Sequence, residues 1–259
     1  MPTDEMLERA YADWYRPTDG RFSGAGDLVL RYLRGRLASR LDRIAPAGPI
    51  LDVGAGDGTL IDELMARGRV AFGIDRQSSH RSVHEMNLAE VGGDWAAIVF
   101  WHSLEHLPQA GVALEQAASM LMPGGVLIVA LPNPDSVQAA VFGDRWFGID
   151  FPRHLVHVPA RALTARLTSL GMAIERVSYV RGGQIVFGWL HGWVGRLPGN
   201  PNLYDAIRRR QARQKSISRA MRMAALVTAA VLLPFAAICA ALESTFRRGG
   251  TTYVEARRV

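Results

Sequence analysis

Lysine is almost missing from this chain. Lys215 is the only one among 30 basic residues, so arginine carries nearly all the positive charge. Against 24 acidic residues the formal net charge is +6. Such a bias points to coding-sequence composition rather than to chemistry. Cysteine is as scarce: Cys239 stands alone, which excludes an internal disulfide and a cysteine-based metal cluster. A lone thiol fits a reducing compartment. The start, Met1-Pro-Thr-Asp-Glu-Met-Leu-Glu, is acidic and has no apolar core, so no secretory signal is read there. Internal repeats and low-complexity tracts are lacking too. At 259 residues and 49% hydrophobic, the chain can bury a full core as one large α/β domain or as a domain with an appendage. Global disorder is excluded.

What is present is alternation. Asp27 to Ile44 predicts an amphipathic helix, with Leu30, Leu33, Leu37, Leu41 and Ile44 at spacings of three and four. Strands are expected at Ile50 to Val53, Val70 to Ile74, Ala96 to Trp101, Val126 to Leu131, Ala173 to Val180 and Thr251 to Arg257, with a short one near Ser82 to Met86. Helices are expected at Thr59 to Arg67, Gln109 to Met122 and Arg161 to Leu170. Pro123-Gly-Gly125 reads as the stop of the second of these. Strands alternating with helices imply βαβ units and a mostly parallel sheet.

The richest stretch is Ile50-Leu-Asp-Val-Gly-Ala-Gly-Asp-Gly58: a short apolar strand running into three glycines. Such a turn gives up packing and backbone entropy, and a ligand lying against the main chain is the usual reason. In an open α/β sheet ligands sit beyond the carboxyl ends of strands, where Asp75, the His102 segment and Asn133 also fall. The spacing is G-x-G-x-G, not the G-x-G-x-x-G of a dinucleotide turn, which disfavours a nicotinamide oxidoreductase. Asp75 ends the next strand, where a carboxylate accepts both hydroxyls of a ribose. Asp52 and Asp75 together disfavour a phosphate and suit a cationic nucleoside.

Leu51-Asp-Val-Gly-Ala-Gly-Asp-Gly58, Gly73-Ile-Asp75, Phe100-Trp-His-Ser-Leu-Glu-His106 and Leu121-Met-Pro-Gly-Gly125 resemble, in order and distance, the class I S-adenosylmethionine-dependent methyltransferases. The likeness runs from about residue 12 to 180 and resumes at Thr251. It implies a Rossmann-like seven-stranded sheet with an antiparallel last strand inserted between two others. It implies S-adenosyl-L-methionine as cofactor: Gly54, Gly56 and Gly58 near the methionine part, Asp75 at the ribose, His102 or Ser103 at the ligand backbone. Asp52, Ala55 and Arg76 complete the cofactor set. Glu85 or Asn87 would stand in for the acid that often meets the adenine.

Methyl transfer from a sulfonium is an in-line displacement in which positioning does much of the work, and a base is needed only for a hydroxyl-type acceptor. His102, His106, His154 and His157 gather at the expected mouth. Trp146-Phe-Gly-Ile-Asp-Phe-Pro-Arg-His154 follows the fifth strand, where the family builds its acceptor pocket; its aromatics, Arg153 and His154 suit a ring or sugar, unless Arg153 and His154 only pin the loop. His154 is the first candidate base and His106 the second. The histidine spacing is open to a metal, but no carboxylate-rich set accompanies it, so none is expected.

Residues 182–250 read as an apolar and basic helical insert before the last strand. Ala224 to Leu242 has no charge and as a helix spans about 28 Å, close to a bilayer core of roughly 30 Å. Eight alanines and Pro234 leave spanning only marginally favourable, and a single crossing would strand Thr251 to Arg257 away from its sheet. Gln184 to Leu197 is too short to span and suits an interfacial arm, with Trp189 and Trp193 at headgroup level. Arg196, Arg208, Arg209, Arg210, Arg213, Lys215, Arg219 and Arg222 suit anionic lipid. No aromatic platform accompanies them, so nucleic acid is not a partner. The sequence thus predicts a methyltransferase domain, 1–181 with 251–259, held by its insert at the cytoplasmic face of a membrane. Its acceptor is a small-molecule or lipid-linked amphiphile methylated on oxygen. A soluble lid or dimer face is the alternative for the insert, and a non-catalytic cofactor-binding module the alternative for the whole.

Overall fold

The structure, a computed structural model, describes residues 2–12, 22, 26–180, 184–208 and 217–259. In chain order the elements are α1 (Asp4–Ala12), α2 (Gly26–Ile44), β1 (Ile50–Val53), α3 (Thr59–Met65), β2 (Ala71–Asp75), β3 (Val83–Glu85), β4 (Trp95–Trp101), α4 (Ala110–Met120), β5 (Leu121–Pro132), α5 (Val137–Phe142), α6 (Ala160–Ser169), β6 (Met172–Ser178), α7 (Gln184–Val194), α8 (Leu203–Ile207), α9 (Arg219–Thr245) and β7 (Thr251–Arg258). The seven strands form one sheet in the order β3-β2-β1-β4-β5-β7-β6. β7 runs antiparallel to both neighbours, and the other pairings are parallel. The sequence-predicted architecture is therefore the observed one.

Both faces of the sheet are covered, which is why its central strands are apolar at nearly every position. Leu51, Val53, Ile98, Phe100, Leu127 and Val129 pack toward α4 and α6. Ile50, Ala97, Val99, Val126 and Ile128 pack toward α2 and α3. The period of two simply assigns neighbours to opposite cores. Glu255 on β7 is fully buried and is clamped by Arg40 of α2 through Nε at 3.0 Å and Nη2 at 2.6 Å, with the Tyr253 hydroxyl donating at 2.6 Å. That bidentate pair ties α2 to the antiparallel strand.

One local expectation is corrected. Pro123-Gly-Gly125 does not stop a helix before a strand; it lies inside β5, which starts at Leu121. The register with β4 shifts there, from Trp95↔Leu121 to Ala97↔Val126. Gly124 takes φ +73°, and a Cβ on Gly125 would sit 2.8 Å from the Met122 carbonyl oxygen. The three residues form a bulge that glycine alone accommodates.

A third core belongs to the insert. Ile185, Trp189, Leu190 and Val194 of α7 are buried with Leu203, Ala206, Ala225, Ala236 and Ala240, against Phe142 and Trp146 of the sheet domain. Two glycines of α7 permit that docking. A Cβ at Gly188 would meet the Gln138 amide oxygen at 2.1 Å, and one at Gly192 the Phe142 ring at 2.4 Å. The segment expected to be an interfacial arm is thus mostly interior. Trp189 is 5% exposed and packs 5.4 Å from Phe142, not at a headgroup level. Trp193 is half-buried and stacks on Phe235 of α9 at 5.0 Å.

Candidate active site

The strand order reverses between β1 and β4, and beyond their carboxyl ends opens a crevice, part of a cavity of about 2180 Å³ that also runs along α2 to Glu63 and Arg67. Gly54, Gly56 and Gly58 follow β1 with φ of +79°, +59° and +73°. Only Gly54 is exposed to the crevice; Gly56 and Gly58 are buried. A Cβ on Gly54 would collide with Ser103 Cβ at 2.4 Å, and one on Gly58 with the His80 ring at 2.4 Å. Two of the three glycines are therefore demanded by the protein's own packing as well as by the turn. The turn is held by the Gly54 and Ala55 N–H groups, which donate to the Ile74 carbonyl at 2.8 and 3.1 Å.

Asp75 at the end of β2 is fixed from two sides. Its Oδ2 accepts from Gly56 N–H at 2.8 Å and its Oδ1 from Arg76 N–H at 2.6 Å. The Arg76 guanidinium lies 4.7 Å over the Tyr11 ring of α1, so the N-terminal helix roofs this end of the crevice. Asp52 sits behind the wall, 3% exposed, and its Oδ1 has no hydrogen-bond partner among the described residues. Burial pushes its carboxyl up to about 7; Arg34 opposes that, while Asp75 and Asp57 add to it. A buried, under-compensated acid beside two others fits a ligand carrying a sulfonium and an ammonium, and repels a phosphate. The adenine candidates separate: Asn87 lines the crevice, whereas Glu85 is exposed and accepts from Ser78 N–H at 3.2 Å.

Past the end of β4 the chain turns sharply. His102 takes φ +54°, unusual for a residue with a side chain, while its N–H donates to the Ala130 carbonyl at 2.8 Å. Ser103 Oγ donates to the Val53 carbonyl, locking this turn to the glycine turn. His102, Ser103, His106 and His154 line the same crevice as Gly54, Ala55, Gly56, Asp75 and Arg76.

His154 is oriented rather than loose. Its Nδ1 lies 2.7 Å from the Gly148 carbonyl and so carries the proton, which leaves Nε2 as the basic nitrogen. Burial lowers its pKa, opposed by Glu105 and assisted by His106, so the ring is neutral at neutral pH. His106 Nδ1 lies 3.1 Å from both the Arg153 carbonyl and the Tyr11 hydroxyl. Arg153 is 4% exposed and pairs with Asp150, Nε to Oδ2 at 2.8 Å. It lines the crevice, but its pairing with Asp150 pins the loop. His157 shares the Gly148 carbonyl at 3.2 Å.

The residue that sequence reasoning missed is Glu105. It is 2% exposed in the midst of the histidines, with His102 Nδ1 at 3.3 Å and His154 Nε2 at 4.0 Å from Oε1. Burial pushes its carboxyl up, but His102, His106 and His154 together outweigh that and hold it below the usual value. The only local signal was its place three residues after His102. Beyond the histidines the crevice continues to Phe187 and His191 of α7 and to Tyr204, so the insert forms its far wall.

A methyltransferase-domain family model matches residues 29–177, more than half of the chain. A ubiquinone biosynthesis O-methyltransferase of Xanthomonas axonopodis pv. citri is 29% identical over 162 residues, 52% of this chain and 67% of that protein. One of Mesorhizobium japonicum is 24% identical over 155 residues, 50% of this chain and 62% of that protein. The chain therefore spans about two thirds or less of the length of these curated relatives. Among solved structures, an S-adenosylmethionine-dependent methyltransferase from Archaeoglobus fulgidus matches with a TM-score of 0.51 at 15% identity, over 86% of this chain and 94% of that one. A mycolic acid cyclopropane synthase matches with a TM-score of 0.54 at 13% identity, over 98% and 95%. At such identities the likeness is one of fold. Domain match, sheet order and glycine turn agree, and the chain belongs to the class I methyltransferases that use S-adenosyl-L-methionine as methyl donor.

Proposed function

We propose that this protein methylates an oxygen of an amphiphilic small-molecule or lipid-linked acceptor at the cytoplasmic face of a membrane. The observation that carries the reading is the inverted face of α9. Its small residues Ala225, Ala236 and Ala240 are buried, while Met223, Val227, Val231, Phe235, Ile238, Leu242 and Phe246 are each more than half exposed. At about 100° per residue these seven fall within roughly 140° of arc along the whole helix. Leu226 and Leu232 pack against the insert's core and Phe235 stacks on Trp193, but the rest of this large-residue stripe faces outward, where soluble packing would bury it. Arg219, Arg247 and Arg248 are exposed at the two ends, where their side chains reach headgroups. α9, at 27 residues, is by length and composition able to cross a bilayer. Its flat seating along α7 and the return to β7 favour an in-plane position instead.

Not all predicted basic residues serve that surface. Arg208 is 4% exposed, and Arg222 Nε donates to the Ala206 carbonyl at 2.8 Å, so both are structural. Arg209, Arg210, Arg213 and Lys215 lie outside the described residues. In this reading residues 182–250 act as a membrane-docking insert on a methyltransferase domain of 1–181 and 251–259. The cofactor contacts are Gly54, Ala55, Gly56, Asp75, Arg76, His102 and Ser103, with Asp52 and Gly58 supporting from behind. His154 Nε2 is the base, with His106 second. The acceptor's apolar part leads along Phe187 and Tyr204 toward the insert. The O-methyltransferase names of the relatives favour oxygen as the methylated atom.

Labelled methyl from the cofactor should enter the lipid fraction of an extract, with His154→Ala and Asp75→Ala both inactive. Loss of cofactor binding only in the second marks His154 as part of the chemistry. Flotation with anionic vesicles should carry the full chain. A protein that stays in the aqueous phase and labels only water-soluble acceptors sinks the membrane part, and the insert is then a lid.

A further inference from the structure

Glu105 is a buried charge with unusual company. Both of its carboxylate oxygens are buried and accept no hydrogen bond among the described residues. A carboxylate in that position is costly unless paired or coordinated to a cation. Its nearest nitrogen, His102 Nδ1, lies 3.3 Å away without hydrogen-bond alignment.

His106 and His154 share one feature. In each, Nδ1 faces a backbone carbonyl, Arg153 for the first at 3.1 Å and Gly148 for the second at 2.7 Å. Nδ1 therefore carries the proton, and Nε2 keeps its lone pair. Metal-binding histidines are oriented in this way: the outer nitrogen donates to a carbonyl or carboxylate, and the inner one ligates. One ligand atom from each of Glu105, His106 and His154 lies within 4.8 Å of the others. Ligand atoms around zinc, at about 2.0–2.2 Å from the metal, stand closer than that, so filling the site draws the three inward.

We infer that Glu105, His106 and His154 form a site for a divalent transition metal, facing the crevice through its remaining coordination positions. Two imidazoles and one carboxylate are the donor set of hydrolytic zinc centres and of mononuclear iron(II) centres. A +2 ion would answer the buried Glu105 oxygens more fully than the ion-pair contacts from His102 at 3.3 Å and His154 at 4.0 Å. The histidine spacing left a metal open but not expected, because the carboxylate is hidden among the histidines and no acid cluster advertises it.

The site also changes the role of His154. Without metal His154 Nε2 is the base; with the site filled it would ligate instead, and the metal would bind the acceptor hydroxyl and lower its pKa. The hydroxyl proton passes to solvent water. The oxygen then forms its bond to the methyl carbon as the carbon–sulfur bond breaks, and sulfur keeps the electron pair as a neutral thioether. This role, though not the site, rests on the oxygen transfer proposed above.

The test is metal binding by the full chain, stripped with chelator and titrated with Zn²⁺ by calorimetry and with Co²⁺ by visible absorption. One equivalent should bind, with a cobalt spectrum of low coordination number. Glu105→Gln and His106→Gln should each weaken binding at least tenfold, while binding of S-adenosylhomocysteine at the glycine turn stays within twofold as the control for folding. No saturable binding of either ion at high micromolar concentration overturns the site. So does one-equivalent binding that survives both substitutions. If the metal binds as expected but no oxygen acceptor is methylated, the site stands and the reading of the reaction falls. Full activity of stripped enzyme in chelator removes the metal's role in the reaction.

Discussion

α7 and α9 are both apolar helices of the insert, and they are used in opposite senses. α7 turns its large residues inward: Ile185, Trp189, Leu190 and Val194 are buried, and Gly188 and Gly192 admit α5. α9 buries Ala225, Ala236 and Ala240 and packs Leu226 and Leu232 against the same core, but leaves Val227, Val231, Ile238 and Leu242 more than half exposed. The difference shows that polarity does not decide which face of an all-apolar helix is buried. Fit at the contact does: Ala225, Ala236 and Ala240 let α9 lie close on α7, and the stripe through Val227, Val231, Ile238 and Leu242 remains for another phase.

The comparison is broken most forcefully at Trp189. Trp189→Ala should cost about 3–5 kcal/mol of stability in denaturant unfolding, since it empties the middle of the insert's core. A loss under about 1 kcal/mol would show that α7 is not the insert's spine. Glu243, 2% exposed on the inner face of α9, gives the next effect. Burial pushes its carboxyl up to about 7, against hydrogen bonds from Gln138 at 2.7 Å and Gly250 N–H at 3.1 Å. Below its ordinary value of 4.5 the group is protonated in both folded and unfolded chains, and its contribution is fully present. Between 4.5 and about 7 only the unfolded chain ionises, so stability falls as pH rises, and the loss is complete above 7. Glu243→Gln keeps the acceptor and removes the titration. Its stability relative to the wild type should therefore rise by on the order of 3 kcal/mol from pH 4 to pH 8. A constant difference across that range would mean Glu243 titrates as in water.

Ala236 is fully buried where α9 meets the core, and Ala236→Leu should cost about 1–3 kcal/mol by overpacking. The smallest effect on folding belongs to the outer face. Replacing Val227, Val231 and Ile238 by serine should change stability by no more than about 0.5 kcal/mol each. The same triple variant should lose at least tenfold in binding to anionic vesicles. Equal vesicle binding would separate the exposed stripe from the membrane and leave it as a face for another protein.

The sheet and the cofactor turn were legible because their signals are local. Gly54 to Gly58, Asp75 and the apolar strands each announce themselves within a few residues, and the parallel topology follows from their order. The rest depended on long-range assembly. Glu105 acquires its meaning from His154, which a whole strand and two loops bring beside it. Pro123-Gly-Gly125 read as a stop because proline and glycine usually are one; inside β5 they make a bulge whose partner, Trp95, lies on another strand. Arg153 is open in sequence between an acceptor contact and a loop pin, because nothing local shows that Asp150, three residues earlier, holds it. The insert's two faces were invisible because both are apolar.

The strand order has a consequence in time. β6 pairs with β7 and has no other neighbour in the sheet. When the chain grows from the ribosome, β6 emerges with no strand to join and waits while everything from Tyr179 to Gly250 is made. α9 therefore leaves the exit tunnel before the sheet can close. Its apolar stripe meets the surroundings of the nascent chain first, and β7 arrives afterwards to pull its end back onto β5 and β6. The apolar insert is thus made before the strand that completes the sheet.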